Sequence, residues 1–156
     1  MSFEPDILVA EAESSRISMV VEARLRPSNV RLGESQLRRY MVAMRVPLGL
    51  IVTLDEIAIY RHSYTADSEE AIHLVGRFSL PSHWLGLNGN QTRSGAAAAT
   101  EPQFEAAVQR WLEQLASYPA LEGFSPEAAD ALSENVLPAL VTGIVRAARP
   151  RTLKAG

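Results

Sequence analysis

Residues 5–25 read PDILVAEAESSRISMVVEARL, and their pattern indicates how the fold begins. Residues 6–12 and 16–25 are rich in aliphatic and β-branched side chains, which favours two strands. The polar residues 13–15 between them predict a turn. We therefore expect a β-hairpin at the start of a sheet.

The length of this turn decides which side chains of the hairpin share a face. A three-residue turn at residues 13–15 sets Asp6 opposite Glu22, and directly opposed residues have Cβ atoms ~4.5–5.5 Å apart. A two-residue turn instead sets Asp6 opposite Ala23 and moves it to the other face of the sheet. The sequence leaves both registers open.

After the hairpin, strand and helix patterns alternate. A helix is predicted from about residue 34 to residue 44, because apolar side chains recur there with helical spacing. Strands are predicted over residues 48–54 and 57–62, and residues 72–80 favour either a strand or a short helix.

The last third of the chain predicts two helices. Thr100 and Gln103 form a capping-box pattern ahead of the first helix, and Ser125-Pro126 is typical of the start of the second. The second helix has an apolar stripe and should be kinked or split by Pro138. Its stripe contains the residues Leu132, Val136, Leu140 and Ile144.

These patterns predict an α/β fold, with a mixed β-sheet followed by a C-terminal helical tail. We expect a core over residues 1–80, a loop or linker over 81–100, a helical tail over 101–149 that packs on the core, and a basic terminus over 150–156.

Composition narrows the class of protein. The chain has 156 residues, 47% of them hydrophobic, and no cysteine, which predicts one cytoplasmic globular domain without disulfides or a zinc ribbon. Its longest apolar runs are too short to cross a bilayer, so no membrane partner is expected. The formal net charge of −3 argues against a generally basic nucleic-acid binder. Residues 16–45, however, contain seven arginines against two glutamates, which indicates either a local anion-binding surface or a solvated arginine-rich face.

Two carboxylates facing each other beside Arg24 are a candidate metal site. They repel each other unless a cation lies between them. Oxygen ligands without histidine or cysteine suit Mg²⁺ or Mn²⁺, ions that serve phosphoryl chemistry. The alternative is an aspartate at the start of a strand and a Glu–Arg pair on a solvated face of the sheet.

Three short motifs follow one another in a defined order between residues 5 and 61. Pro5-Asp6 opens the first strand, Glu22-Ala23-Arg24 ends the second, and residues 36–40 (QLRRY) lie on the helix before a buried strand. This order resembles the PD-(D/E)XK nuclease superfamily. It is most similar to the amino-terminal nuclease domain of type I restriction-enzyme motor subunits and their small relatives.

The resemblance implies a restriction-endonuclease-like fold and a role for each matching residue. Asp6 and Glu22 would hold Mg²⁺ or Mn²⁺, with the Ala23 carbonyl as a further ligand. Gln36 and Tyr40 would position the substrate strand or the attacking water; the alternative makes Gln36 an exposed residue and Tyr40 a core aromatic. DNA is the implied partner, and the candidates for phosphate contacts are Arg26, Arg31, Arg38 and Arg39.

Two features depart from the family pattern. Arg24 replaces the family's lysine, and the only lysine of the chain is Lys154. Arginine keeps its charge at any working pH, so it can stabilise charge on a phosphate but cannot accept a proton from water. In addition, only five residues precede Asp6, where the family has a helix and a strand. The sheet is then completed by later strands, by a second copy or another partner chain, or by neither, which leaves an exposed edge.

Three functional hypotheses follow. The first is a Mg²⁺-dependent nuclease-like domain that hydrolyses phosphodiester bonds in DNA, with Asp6, Glu22, Arg24, Gln36 and Tyr40 at the site. The second is a nuclease fold that no longer cuts and serves nucleic-acid or protein binding and assembly. The third is an unrelated α/β scaffold that matches the motifs by chance.

Overall fold

A six-stranded mixed sheet forms the centre of the fold, in a computed structural model that describes residues 5–25, 30–81, 100–119 and 121–148. The strands are β1 (Ile7–Glu11), β2 (Ile17–Ala23), β3 (Leu48–Val52), β4 (Glu56–His62), β5 (Ile72–Ser79) and β6 (Gly143–Ala147). The helices are α1 (Val30–Met44), α2 (Glu101–Ser117), α3 (Pro126–Ala131) and α4 (Leu137–Val141), with a 3₁₀ turn at Glu69–Ala71 and a π-helical turn at Leu132–Val136.

The order of the strands across the sheet is β5-β4-β3-β2-β1-β6. Only β2 and β3 are parallel, and α1 provides the crossover that a parallel pair needs. All other neighbours are antiparallel. The prediction of a mixed α/β fold is confirmed, and residues 72–80 form a strand, one of the two alternatives for that segment.

Helices cover both faces of the sheet. On one face, Leu37 and Met41 of α1 pack against a cluster that includes Val20 and Ile51. On the other face, side chains of α2, α3, α4 and the π-helical turn pack against the alternate residues of the same strands. Burial on both faces explains why β3 is apolar at every position. The predicted domain boundaries at 81–100 and 150–156 fall almost entirely outside the described residues.

The predicted helix starts of the C-terminal region are confirmed. Thr100 and Gln103 form the capping box, and the Ser125 hydroxyl accepts a hydrogen bond from the Ala128 N–H at 3.1 Å. The π-helical turn directly before α4 divides the second helix near Pro138, as the missing N–H of proline requires.

The end of the predicted helical tail is wrong. Ile144 does not continue the helix but lies in β6, where it is 57% exposed. The backbone leaves the helix at Thr142, and residues 143–147 pair with β1 in antiparallel orientation, so the open edge of β1 gains backbone hydrogen bonds that a longer helix could not supply. A later strand of the same chain therefore covers β1, which was one of the three alternatives for completing the sheet.

The hairpin turn also differs from both predicted lengths. The Glu11 N–H donates to the Arg16 carbonyl at 2.8 Å, which leaves a four-residue loop, with Ser15 at a positive φ of 63°. Ser18 is then an extra residue in β2, since Val9 pairs with Met19 while Ala10 pairs with Ile17. This bulge shifts the register by one residue and restores the pairing that a three-residue turn predicts.

Replacing Gly143 with alanine tests the placement of β6. A Cβ atom there would lie 2.5 Å from Val9 Cγ1 and 2.7 Å from the Ala139 carbonyl oxygen. Overpacking of this kind costs ~1–3 kcal/mol, and each kcal/mol lowers the Tm of a domain this size by ~2–4 °C. We expect Gly143→Ala to lower the Tm measured by circular dichroism by several degrees. The exposed control Val141→Ala should change it by less than ~2 °C, and equal effects would contradict this placement.

Candidate active site

The structure brings the carboxyl groups of Asp6 and Glu22 together on the α1 side of the sheet. The Asp6 N–H donates to the Val21 carbonyl at 3.1 Å, and the Asp6 carboxylate accepts a hydrogen bond from the Ala23 N–H at 2.8 Å. Asp6 is therefore bonded to the two residues that flank Glu22, and its carboxylate is close enough to raise the pKa of Glu22.

Glu22 is one of the two buried polar or charged residues in the described part of the chain, with only 1% of its surface exposed. Burial raises the pKa of the Glu22 carboxyl to about 8, and the neighbouring Asp6 carboxylate contributes in the same direction. Arg24 opposes this shift without cancelling it. The Glu22 carboxyl therefore binds a proton more readily than an exposed carboxylate does.

Arg24 supplies the positive charge at this site. Its Nη2 atom forms an ion pair with Glu22 Oε2 and donates a hydrogen bond to the Gln36 side-chain oxygen at 3.3 Å. The Arg24 side chain is 22% exposed, so the guanidinium links the buried acid to the surface next to α1.

Two buried polar atoms of the site have no protein partner. They are Oε1 of Glu22, an acceptor, and Nε of Arg24, a donor. Most buried polar groups in proteins are hydrogen-bonded, so an unpaired pair of this kind is typical of a place that a ligand, ion or water occupies.

Gln36 and Tyr40 lie one turn apart on α1, as their spacing predicts. Gln36 is half-buried and contacts Arg24 directly. Tyr40 is half-buried and packs against the apolar cluster under α1. The structure thus joins Gln36 to the acid pair through Arg24.

The structure places the predicted phosphate-binding arginines in three different surroundings. Arg38 donates to the Ile72 carbonyl at 3.2 Å and stacks over the Tyr60 ring, on the β4–β5 side of α1. Arg39 is exposed and pairs with Ser35 and, at 3.9 Å, with Glu69. Arg31 is exposed on the first turn of α1. Arg26 lies outside the described residues.

Sequence reasoning missed the polar cluster that fixes α1 on β4 and β5. Tyr60 donates a hydrogen bond to Glu34, which also pairs with Arg77 at 2.6 Å. Burial alone would raise the pKa of Glu34, but the bonds from Tyr60 and Arg77 outweigh it and lower that pKa, while burial and Glu34 raise the pKa of Tyr60. These residues are 26 and 43 positions apart along the chain, so no local pattern links them.

Two further residues at the site also went unnoticed. Gly33 lies in the first turn of α1, where an added Cβ would come within 2.9 Å of Arg24 Nε. Glu101, at the start of α2, accepts a hydrogen bond from the Leu25 N–H at 3.2 Å. The two residues lie near the carboxyl end of β2 on opposite faces of the sheet. The only sequence signal was a glycine next to the predicted start of a helix.

The histidines show no metal-ligand arrangement within the described residues. His62 is buried at the end of β4, and its Nδ1 atom accepts the Tyr64 N–H at 3.0 Å. Burial lowers the pKa of His62, and nearby Arg45 lowers it further. His73 contacts Ser63, and His83 lies outside the described residues.

The donor set of the acid pair fits a hard divalent cation. Mg²⁺ is bound in proteins by one or two carboxylates together with several waters, and Glu22 Oε1 is a buried oxygen without a partner beside a second carboxylate. In the described ranges no group of three or more His, Cys, Asp or Glu residues is arranged to hold a metal. Any ion at this site would therefore depend on two acids and on ligands other than His, Cys, Asp or Glu.

Comparison of the chain with protein-family models, with curated proteins and with solved structures gave no significant match. None of the helices in the described ranges is both long enough and apolar enough to cross a membrane.

The raised pKa of Glu22 predicts that the stability of the protein depends on pH above neutrality. The pKa of Glu22 is higher in the folded protein than its ordinary value of 4.5, so the folded state retains a proton that the unfolded chain releases. The resulting stabilisation is complete below pH 4.5 and is lost as the pH rises through about 8. We expect the Tm measured in EDTA to fall between pH 7 and pH 9, a range in which His62 stays neutral.

The control is Glu22→Gln, which has nearly the same shape and cannot titrate. Its Tm should change less over the same range than that of the parent protein. Equal slopes in the two proteins would show that Glu22 is not the group that titrates.

Proposed function

We propose that this chain is a nuclease-like domain that binds DNA and hydrolyses phosphodiester bonds with the help of Mg²⁺ or Mn²⁺. The observation that carries the proposal is the buried Glu22 carboxylate, which has one unpaired oxygen and lies beside Asp6. The order of the motifs, which resembles the PD-(D/E)XK nucleases, adds independent support.

The balance of charge at the site supports a phosphodiester as the ligand. When both are ionised, Asp6 and Glu22 carry two negative charges, and Arg24 carries one positive charge. A divalent cation would leave the site with one excess positive charge, which matches the single negative charge of a phosphodiester group. Without the cation, the carboxylates would repel that group.

Asp6 and Glu22 would hold the cation, with the Ala23 carbonyl as a further ligand. When bound, the cation would polarise the phosphate and lower the pKa of an attacking water. Arg24 stays charged at any working pH, so its role is to stabilise the negative charge that develops on the phosphate oxygens. Gln36 orients the Arg24 guanidinium through their hydrogen bond. Arg31 and Arg39, exposed on α1, would contact the DNA backbone.

A second candidate is a module of the same fold that binds nucleic acid or protein without cutting. The ion pair between Arg24 and Glu22 favours it, because the guanidinium contacts the carboxylate that a metal needs and cannot act as a base. A purified protein that binds neither Mn²⁺ nor DNA but forms a stable oligomer in light scattering would support this module.

Metal-dependent stabilisation tests the first candidate. Mn²⁺ at a hundredfold excess over its Kd should stabilise the folded state by about 2.7 kcal/mol, which raises the Tm on the order of 5 °C. Glu22→Gln should abolish this shift and any Mg²⁺-dependent nicking of a supercoiled plasmid. Glu113→Ala, an exposed acid on α2, is the control and should retain both. Nicking that persists in Glu22→Gln would point to another site or another protein.

Arg24→Lys tests whether arginine limits the chemistry. A lysine at this position keeps the positive charge, is more compact and can exchange a proton with water. Since a misplacement of about 1 Å can cost ~100-fold in rate, we expect plasmid nicking to increase at least ~10-fold. The double variant Arg24→Lys with Glu22→Gln should be inactive. If Arg24→Lys binds Mn²⁺ but cuts no faster than the parent protein, the site is not a nuclease site impaired at this single position.

A further inference from the structure

We propose that Gly33 and Gln36 position the Arg24 guanidinium against Glu22, and that the guanidinium in this position competes with a divalent cation for the Glu22 carboxylate. This inference rests on the proposed function, because it concerns how the same site is regulated. The contact between β2 and α1 would then control the access of the metal to Glu22.

The bare backbone of Gly33 provides the space for the guanidinium. A Cβ at this position would lie 2.9 Å from Arg24 Nε and 3.5 Å from both Cζ and Nη2. Glycine is unfavourable in a helix compared with alanine, so a buried glycine at position 33 of α1 needs a reason. The close approach of Arg24 supplies one.

Gln36 holds the other end of the same group. Its side-chain oxygen accepts a hydrogen bond from Arg24 Nη2 at 3.3 Å, and this is the same nitrogen that pairs with Glu22. The position of the guanidinium is therefore set by α1 as well as by β2.

A cation at Glu22 would be close to the Arg24 charge. Arg24 contacts Oε2 of Glu22, while Oε1 is buried and unpaired. Two cations on one carboxylate repel each other strongly where water is excluded, and Glu22 is nearly fully buried. Tight binding of a metal thus requires the guanidinium to move away from Glu22, for example toward an incoming phosphate.

The positioning of Arg24 by Gly33 can be tested without metal by a double-mutant cycle. In the parent protein, Gly33→Ala should lower the Tm, because the new Cβ meets a pinned side chain. In an Arg24→Gln background the same change should raise the Tm by ~1–3 °C, because alanine then favours the helix without a clash. If Gly33→Ala changes the Tm by the same sign and size in both backgrounds, Gly33 does not position Arg24 and the inference is wrong.

The competition is tested by calorimetric titration of the same proteins with Mn²⁺. Arg24→Gln should lower the Kd for Mn²⁺ about tenfold, because it removes the repulsion between the Arg24 charge and the cation. Gly33→Ala should also lower the Kd for Mn²⁺, since this substitution displaces the guanidinium without removing a charge. Arg110→Gln, which removes an exposed arginine on α2, is the control for net charge and should leave the Kd within about twofold.

The outcomes separate this inference from the proposed function. If the parent protein binds Mn²⁺ and Arg24→Gln binds it equally or more weakly, the competition is wrong while the metal site stands. If no variant binds Mn²⁺, the metal-dependent function is wrong and the competition with it. If Arg24→Gln does not fold, tighter binding by Gly33→Ala supports the inference, and unchanged or weaker binding contradicts it.

Discussion

The pairing of β1 with β2 at Asp6 is the constraint on which the site depends. Asp6 bonds through its backbone to Val21 and through its carboxylate to Ala23, so Glu22 has an acid directly beside it. Both strands lie inside the sheet, with β6 on one side and β3 on the other. A slip by one residue would require both neighbouring ladders to break, which keeps the two acids on one face.

Burial of Glu22 determines the chemical properties of this pair of acids. Glu22 is covered by α1 and the sheet, so its charge is compensated mainly by Arg24 and by whatever cation or proton the unpaired oxygen attracts. The same burial that raises the pKa of Glu22 means that a divalent ion bound there would have to displace the proton of this carboxyl. Arg24 thus supplies the positive charge that a metal ion would supply, and it also repels such an ion. Gly33 of α1 leaves the space that lets Arg24 lie so close to Glu22.

Much of the fold could be predicted from the sequence because the signals were local. The apolar runs of β3 and β4, the helical spacing in α1 and the capping box of α2 each depend on neighbouring residues. The sequence left open whether Asp6 faces Glu22 or Ala23, and the structure pairs it with Glu22 through neither predicted turn, since a longer loop and the Ser18 bulge compensate each other. β6 could not be predicted, because Ile144 fits a helical stripe and only the edge of β1, more than 130 residues earlier in the chain, favours a strand. The fit of Arg24 against Gly33 likewise depends on tertiary contact.

The most direct test is an NMR titration of the Glu22 side-chain carboxyl in the parent protein and in Asp6→Asn, without metal. We expect Glu22 to titrate with a pKa of about 8 in the parent protein and at clearly lower pH once the neighbouring charge is removed. A Glu22 carboxyl that titrates near its ordinary value of 4.5, or one that does not respond to Asp6→Asn, would show that the two acids do not share a buried site.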